Sequence, residues 1–161
     1  MKRLFAIFLL CVSTSTIGGE YLIVNGISKH IGASKNFNEF NPGIGYAWDT
    51  NWRWLGDIQP QLGFYENSGG RWTVYGAVGK KLITTSDKIW GIATIGGVAV
   101  GYEHTPVMPT AALVGTYRNR HFGVNVLLSV YRDSEDGDTS RGGSIKPLVG
   151  LQLVIPLNGR Y

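Results

Sequence analysis

The sequence predicts an all-β protein, an eight-stranded antiparallel transmembrane β-barrel, on three observations. Beyond Glu20 the apolar residues recur with period two, in runs separated by Gly, Asn, Asp and Ser clusters, which is strand spacing and not helix spacing. The runs are longer than the roughly 5–6 residues of an ordinary soluble strand and match the roughly 9–11 tilted residues that cross a bilayer. Finally, bulky apolar faces stand opposite faces of Gly, Ala, Ser, Asn and Gln. A soluble sandwich would place Lys and Glu there instead.

The 161 residues are 43% hydrophobic and 16% charged, enough for one domain and too apolar for a disordered tail. No stretch of eighteen apolar residues follows the first dozen positions, so a helical membrane protein is excluded. Residues 1–19 read as a secretory signal: Lys2 and Arg3 supply positive charge, Leu4 to Val12 an apolar segment, and Gly18 or Gly19 a small residue for cleavage. Cys11, the sole cysteine, leaves with it, so neither disulfides nor thiol chemistry remain in the 20–161 barrel. A lipoprotein signal fits less well, because Leu10 stands where a small residue is wanted. Removing Lys2 and Arg3 from 15 basic residues leaves 13 against 11 acidic ones, a balance of +2 that gives no nucleic-acid signal.

The eight strands are expected at Glu20–His30, Pro42–Asp49, Gly56–Glu66, Trp72–Lys80, Ile89–Tyr102, Met108–Tyr117, Phe122–Tyr131 and Ile145–Leu157. In the fifth, Trp90, Ile92, Val98 and Val100 oppose Gly91, Ala93, Gly97 and Ala99. In the seventh and eighth, Val124, Val126, Leu128, Leu151 and Leu153 are expected on the lipid side. With both termini periplasmic, Trp48, Trp52, Trp54, Trp90, Tyr117 and Phe122 gather at one interface. Tyr65, Trp72, Tyr102 and Tyr131 gather at the other, as two aromatic girdles. The end of the chain, with Leu153, Ile155, Leu157 and Tyr161 on one parity, resembles the signal read by the barrel assembly machinery. The expected location is the outer membrane of a Gram-negative bacterium, as a monomer.

Familiar catalytic motifs are missing. There is no Gly-x-Gly-x-x-Gly, no phosphate loop around Gly79-Lys80-Lys81 and no Gly-x-Ser-x-Gly elbow. His30, His104 and His121 are too scattered for zinc, and the acidic run Asp133 to Asp138 lacks calcium-loop spacing, so no metal and no cofactor are expected. The informative segment is Asn25–Ser68. Alternation puts His30 on the parity of Gly26 and Ser28, inward at the extracellular rim, and Tyr21, Ile23 and Ile27 on the opposite face. Asn67 shares inward parity with Gln59, Gln61 and Tyr65, and Ser68 opens the next loop, so an imidazole and a hydroxyl are expected at the same mouth.

The order of His30, Asn36-Phe-Asn-Glu39, Gly43-x-Gly45, Asn67-Ser68 with Trp72, and Pro106-x-x-Pro109 resembles the PagP family of lipid A palmitoyltransferases, from about Asn25 to Leu157. The resemblance implies an outer-membrane barrel that moves palmitate from phospholipid to lipid A. By residue match His30 and Ser68 are catalytic; Asn67 stands where the family has an Asp, and an amide carries no charge to hold an imidazolium. Small inward residues (Gly43, Gly45, Ala93, Gly97 and Ala99) are the expected walls of a chain-binding lumen. The alternative is a non-catalytic barrel for lipopolysaccharide binding, adhesion or surface exclusion, which needs only stability and exposed loops.

Overall fold

The computed structural model describes residues 18–34, 36–52, 54–102, 107–133 and 144–158. The signal expected at residues 1–19 therefore lies almost wholly outside the described residues, as do the acidic run beyond Asp133 and the terminal Tyr161. The described strands are β1 (Glu20–His30), β2 (Phe40–Trp48), β3 (Thr50–Trp52), β4 (Gly56–Glu66), β5 (Trp72–Thr84), β6 (Trp90–Val100), β7 (Val107–Arg118), β8 (Gly123–Asp133) and β9 (Ser144–Pro156). Eight long ones pair antiparallel in the order β2, β1, β9, β8, β7, β6, β5, β4, and β2 pairs back to β4, which closes the barrel. The three-residue β3 extends only the β4 hairpin at the lower end, where Gly18 and Asn158 meet. Among the described residues there is no helix long and apolar enough to cross a membrane.

Side chains sort into two environments that invert those of a soluble protein. Outward along β8 and β9 stand Val126, Leu128, Leu151 and Leu153, all exposed, with Val124 partly so on the same face. Leu128 is 49% exposed, while the inward Asn125 is 4% and Gln61 5% exposed. The period-two pattern produces this because a strand turns alternate residues to opposite faces. β6 keeps it without interruption, with Trp90, Ile92, Val98 and Val100 outward and Gly91, Ala93, Gly97 and Ala99 inward.

The register corrects one expectation. Tyr21 and Ile23, expected opposite His30, are themselves inward and nearly fully buried, yet His30 is inward too. A bulge between Asn25 and Ile27 reconciles the two: Asn25 pairs with Gln152 but Ile27 with Leu151, so Gly26 is an extra residue that reverses the parity of everything after it. A second bulge lies between Lys81 and Ile83, and β5 runs on to Thr84, past the expected end at Lys80.

The girdles are also redistributed. At the lower end Trp90, Tyr117 and Phe122 form a chain of ring contacts, and Tyr46 stacks on Trp48. At the upper end only Trp72 of the four expected aromatics faces out; it meets Phe64, while Phe40 is also exposed. Tyr65 and Tyr102 point into the lumen, where their hydroxyls lie 2.8 Å apart, and Tyr131 packs on His30.

The lumen combines a small apolar cluster of Tyr21, Ile23, Ala47 and Val154 with layers of hydrogen-bonded polar side chains. Near the lower end Asp49 accepts hydrogen bonds from Tyr21 Oη (2.7 Å) and Gln59 Nε2 (2.9 Å) and sits 3.5 Å from Lys81 Nζ, tying β1, β4 and β5 together. Across the barrel Arg118 donates to Asn125 (2.7 Å), Asn125 to Gln152 (3.1 Å) and Gln152 to Asn25 (2.8 Å), so four successive strands are laced by one directional chain.

Candidate functional site

His30 ends β1 at the upper mouth, with 9% of its surface exposed. The loop after it folds back over the opening: the Asn38 amide donates to the Ser68 carbonyl and the Ser28 amide to the Glu39 carbonyl. This places Phe37 flat on the imidazole, at a centroid distance of 4.1 Å and an interplanar angle of 18°, while Tyr131 of β8 meets it edge-on at 4.8 Å. The three rings form one aromatic plug. Outside it, Lys29 and Glu39 form an exposed ion pair at 2.8 Å.

Asn67 is 2% exposed and has a structural task. Its Nδ2 donates to Thr73 Oγ1 (2.9 Å), and its Oδ1 accepts from the Gly69 (2.9 Å) and Arg71 (3.2 Å) amides. That closes the turn between β4 and β5, where Gly70 has a φ of +75°, a conformation that suits glycine. Asn67 is thus oriented toward its own turn. Asn41, which the sequence reading did not single out, joins the two halves of the mouth: it accepts from Ser28 Oγ and donates to the Glu66 carbonyl (3.1 Å) and to Ser68 Oγ (3.4 Å). An Asn directly before Pro42 at the start of a strand, close after the Asn36-Phe-Asn-Glu39 loop, was the available signal.

His30 and Ser68 therefore occupy the same mouth, and Asn41 links Ser68 to Ser28, which shares the inward face of β1 with His30. The interactions described for His30 are aromatic, and those of Ser68 run to Asn41 and Asn38.

The five small lumen residues do not gather around one void. A Cβ on Gly45 or on Gly63 would collide with the Tyr75 ring, and one on Gly43 with the Tyr65 backbone, so these glycines admit the tyrosines. Gly97 packs on the backbone of Gly76 and Ala77, and Ala99 is fully buried. Only Ala93 lines the polar cavity bounded by Gln59, Gln61, Thr116, Arg118 and Gln152. That cavity measures about 30 Å³, room for about two water molecules.

The chain matches no protein-family profile and none of the curated proteins. The fold and the mouth must therefore carry the functional argument themselves.

Proposed function

We propose that the chain is an outer-membrane β-barrel of a Gram-negative bacterium that acts by binding lipopolysaccharide at its upper rim, without catalysis. The single observation behind this reading is the distribution of polarity: an exposed outer wall of Val, Leu, Ile and aromatic residues surrounds a lumen in which Asn, Gln, Tyr and Arg side chains are hydrogen-bonded around a small apolar cluster. Apolar surface continuous around a barrel is stable in lipid and costly in water. At the rim, the exposed side chains of Lys29, Arg71 and Arg132 stand near the level of Phe40 and Trp72, a mixture of cations and rings that suits a phosphorylated glycolipid. The packed lumen and the aromatic plug support binding outside the barrel in preference to an acyl chain within it.

A second reading, acyl transfer of the PagP type, is favoured by one observation, the placement of His30 and Ser68 at a common mouth. In that chemistry His30 takes the proton from a lipid A hydroxyl as the oxygen adds to the phospholipid ester carbonyl. The tetrahedral intermediate then collapses, its bond to the lysophospholipid oxygen breaks as that oxygen takes the proton back from His30, and Ser68 supplies or orients a hydroxyl at the site. Phospholipid and lipid A are its substrates, and Phe37 must swing off His30 first.

Mass spectrometry of lipid A from cells with and without the protein separates the two. Unchanged lipid A, together with retention of lipopolysaccharide on the purified barrel, is the expected result. A palmitoyl mass increment that His30→Ala abolishes would replace the binding reading with the enzymatic one.

A further inference from the structure

Lys80 and Lys81 are consecutive and face opposite ways. Lys81 turns inward to Asp49, whereas Lys80 stands on the outward parity of Val74, Gly76 and Val78 and pairs across to Thr94. Among the described residues no carboxylate is paired with Lys80. A charge on the lipid-facing wall of a barrel is costly at the bilayer centre and nearly free at its edge, so the depth of Lys80 decides what it means.

The strands supply that depth. Trp72 tops β5 and Trp90 begins β6 at the bottom, both outward. Eight residues separate Trp72 from Lys80 and four separate Thr94 from Trp90, which at about 3.3 Å per residue and a tilt of about 40° gives roughly 20 Å and 10 Å. The sum, roughly 30 Å, is the thickness of a hydrocarbon core. Lys80 is therefore rooted in the lower third, and its flexible stem carries the ammonium toward the headgroups of the lower leaflet, where a lipid phosphate can meet it.

We infer that this stretch of outer wall is a docking site for an anionic phospholipid of the periplasmic leaflet, its phosphate held by the Lys80 ammonium. The inference rests on the membrane reading above. A net anionic headgroup is the occupant that fits, because a zwitterionic lipid already carries a cation that competes with Lys80 for its own phosphate. The lower edge of the same wall, with Trp90, Tyr117 and Phe122 in ring contact, offers the amphipathic belt against which a headgroup settles.

The test uses the full barrel in detergent with equal amounts of phosphatidylglycerol and phosphatidylcholine, bound lipid being counted by native mass spectrometry. Folding is followed by heat-modifiable gel migration after insertion into vesicles of each lipid. Wild type is expected to retain phosphatidylglycerol about fivefold over phosphatidylcholine, K80R to keep that preference, and K80Q and K80M to bring it near unity. K80M, whose side chain suits lipid, covers the case in which K80Q folds poorly. Equal retention of both lipids by inserted wild type would overturn the inference, as would a preference that survives in K80Q and K80M. A dimer whose contact buries Lys80 would assign the face to a second copy instead. Failure of wild type to insert into either vesicle would overturn the membrane reading itself, a separate result.

Discussion

The phenol of Tyr75 occupies the space that a Cβ on Gly45 would need, and Gly63 yields to the same ring from the neighbouring strand. The barrel interior at this level is thus a tyrosine seated on two glycines. Gly45→Ala forces the ring or the β2–β4 pairing to shift, so a loss of about 1–3 kcal/mol is expected from overpacking. Denaturant unfolding in detergent measures it. In the double variant with Tyr75→Ala the two effects must be strongly non-additive, because the collision disappears with the ring.

The chain from Arg118 through Asn125 and Gln152 to Asn25 gives a second outcome. Asn125→Ala leaves a guanidinium and an amide without their buried partner, and a loss of about 1–3 kcal/mol follows. Asn125→Asp retains an acceptor for Arg118 and should lose less. The same unfolding experiment compares them.

The hydrogen bonds around Asn67 predict how it tolerates change. Asn67→Ala removes three hydrogen bonds that close the β4–β5 turn and should cost about 1–3 kcal/mol. Asn67→Asp keeps both backbone donors, and Thr73 can reverse its hydroxyl to donate, so the fold should survive nearly intact. If acyl transfer is latent in the mouth, that variant raises it; the binding reading expects purified wild type and Asn67→Asp alike to leave lipid A unmodified.

A pH dependence is expected in the lower turn between β5 and β6. The Asp87 carboxyl is held below its ordinary range, first by the Thr85 hydroxyl (2.5 Å) and then by the Ile89 amide (3.0 Å). A depressed folded value means that the contribution to stability is fully present above the ordinary carboxylate pKa and fades as pH falls through the folded one. The protection of the Ile89 amide, its exchange rate taken relative to the intrinsic rate at each pH, should therefore fall on acidification in wild type and stay flat in Asp87→Asn.

Much of this architecture was legible from residues alone. Glu20–His30 and Gly56–Glu66 are strands at their expected bounds, because alternation and Gly- or Asn-rich punctuation coincide there. What alternation cannot register is an inserted residue: Gly26 carries no side chain to betray the bulge, so Tyr21 and Ile23 were assigned to the wrong face while His30 fell on the right one. Small inward residues announce space without saying what fills it, and at Gly45 and Gly63 the filling is Tyr75 from another strand. For the same reason Asp49 and Asn41 were missed: their partners lie on strands remote in sequence.

The most direct measurement is the accessibility of spin labels placed along β8 and β9 in phospholipid vesicles. Single cysteines go in at Val126, Leu128, Leu151 and Leu153 of the outer wall and at Gln152 of the lumen, in a chain from which Cys11 has been removed. The account predicts that the four outward labels are relaxed by oxygen, which concentrates in lipid, and shielded from a water-soluble nickel chelate. Gln152 should be shielded from both. Outward labels open to the nickel reagent, in protein that has folded with vesicles present, would contradict a barrel whose apolar wall lies in a membrane.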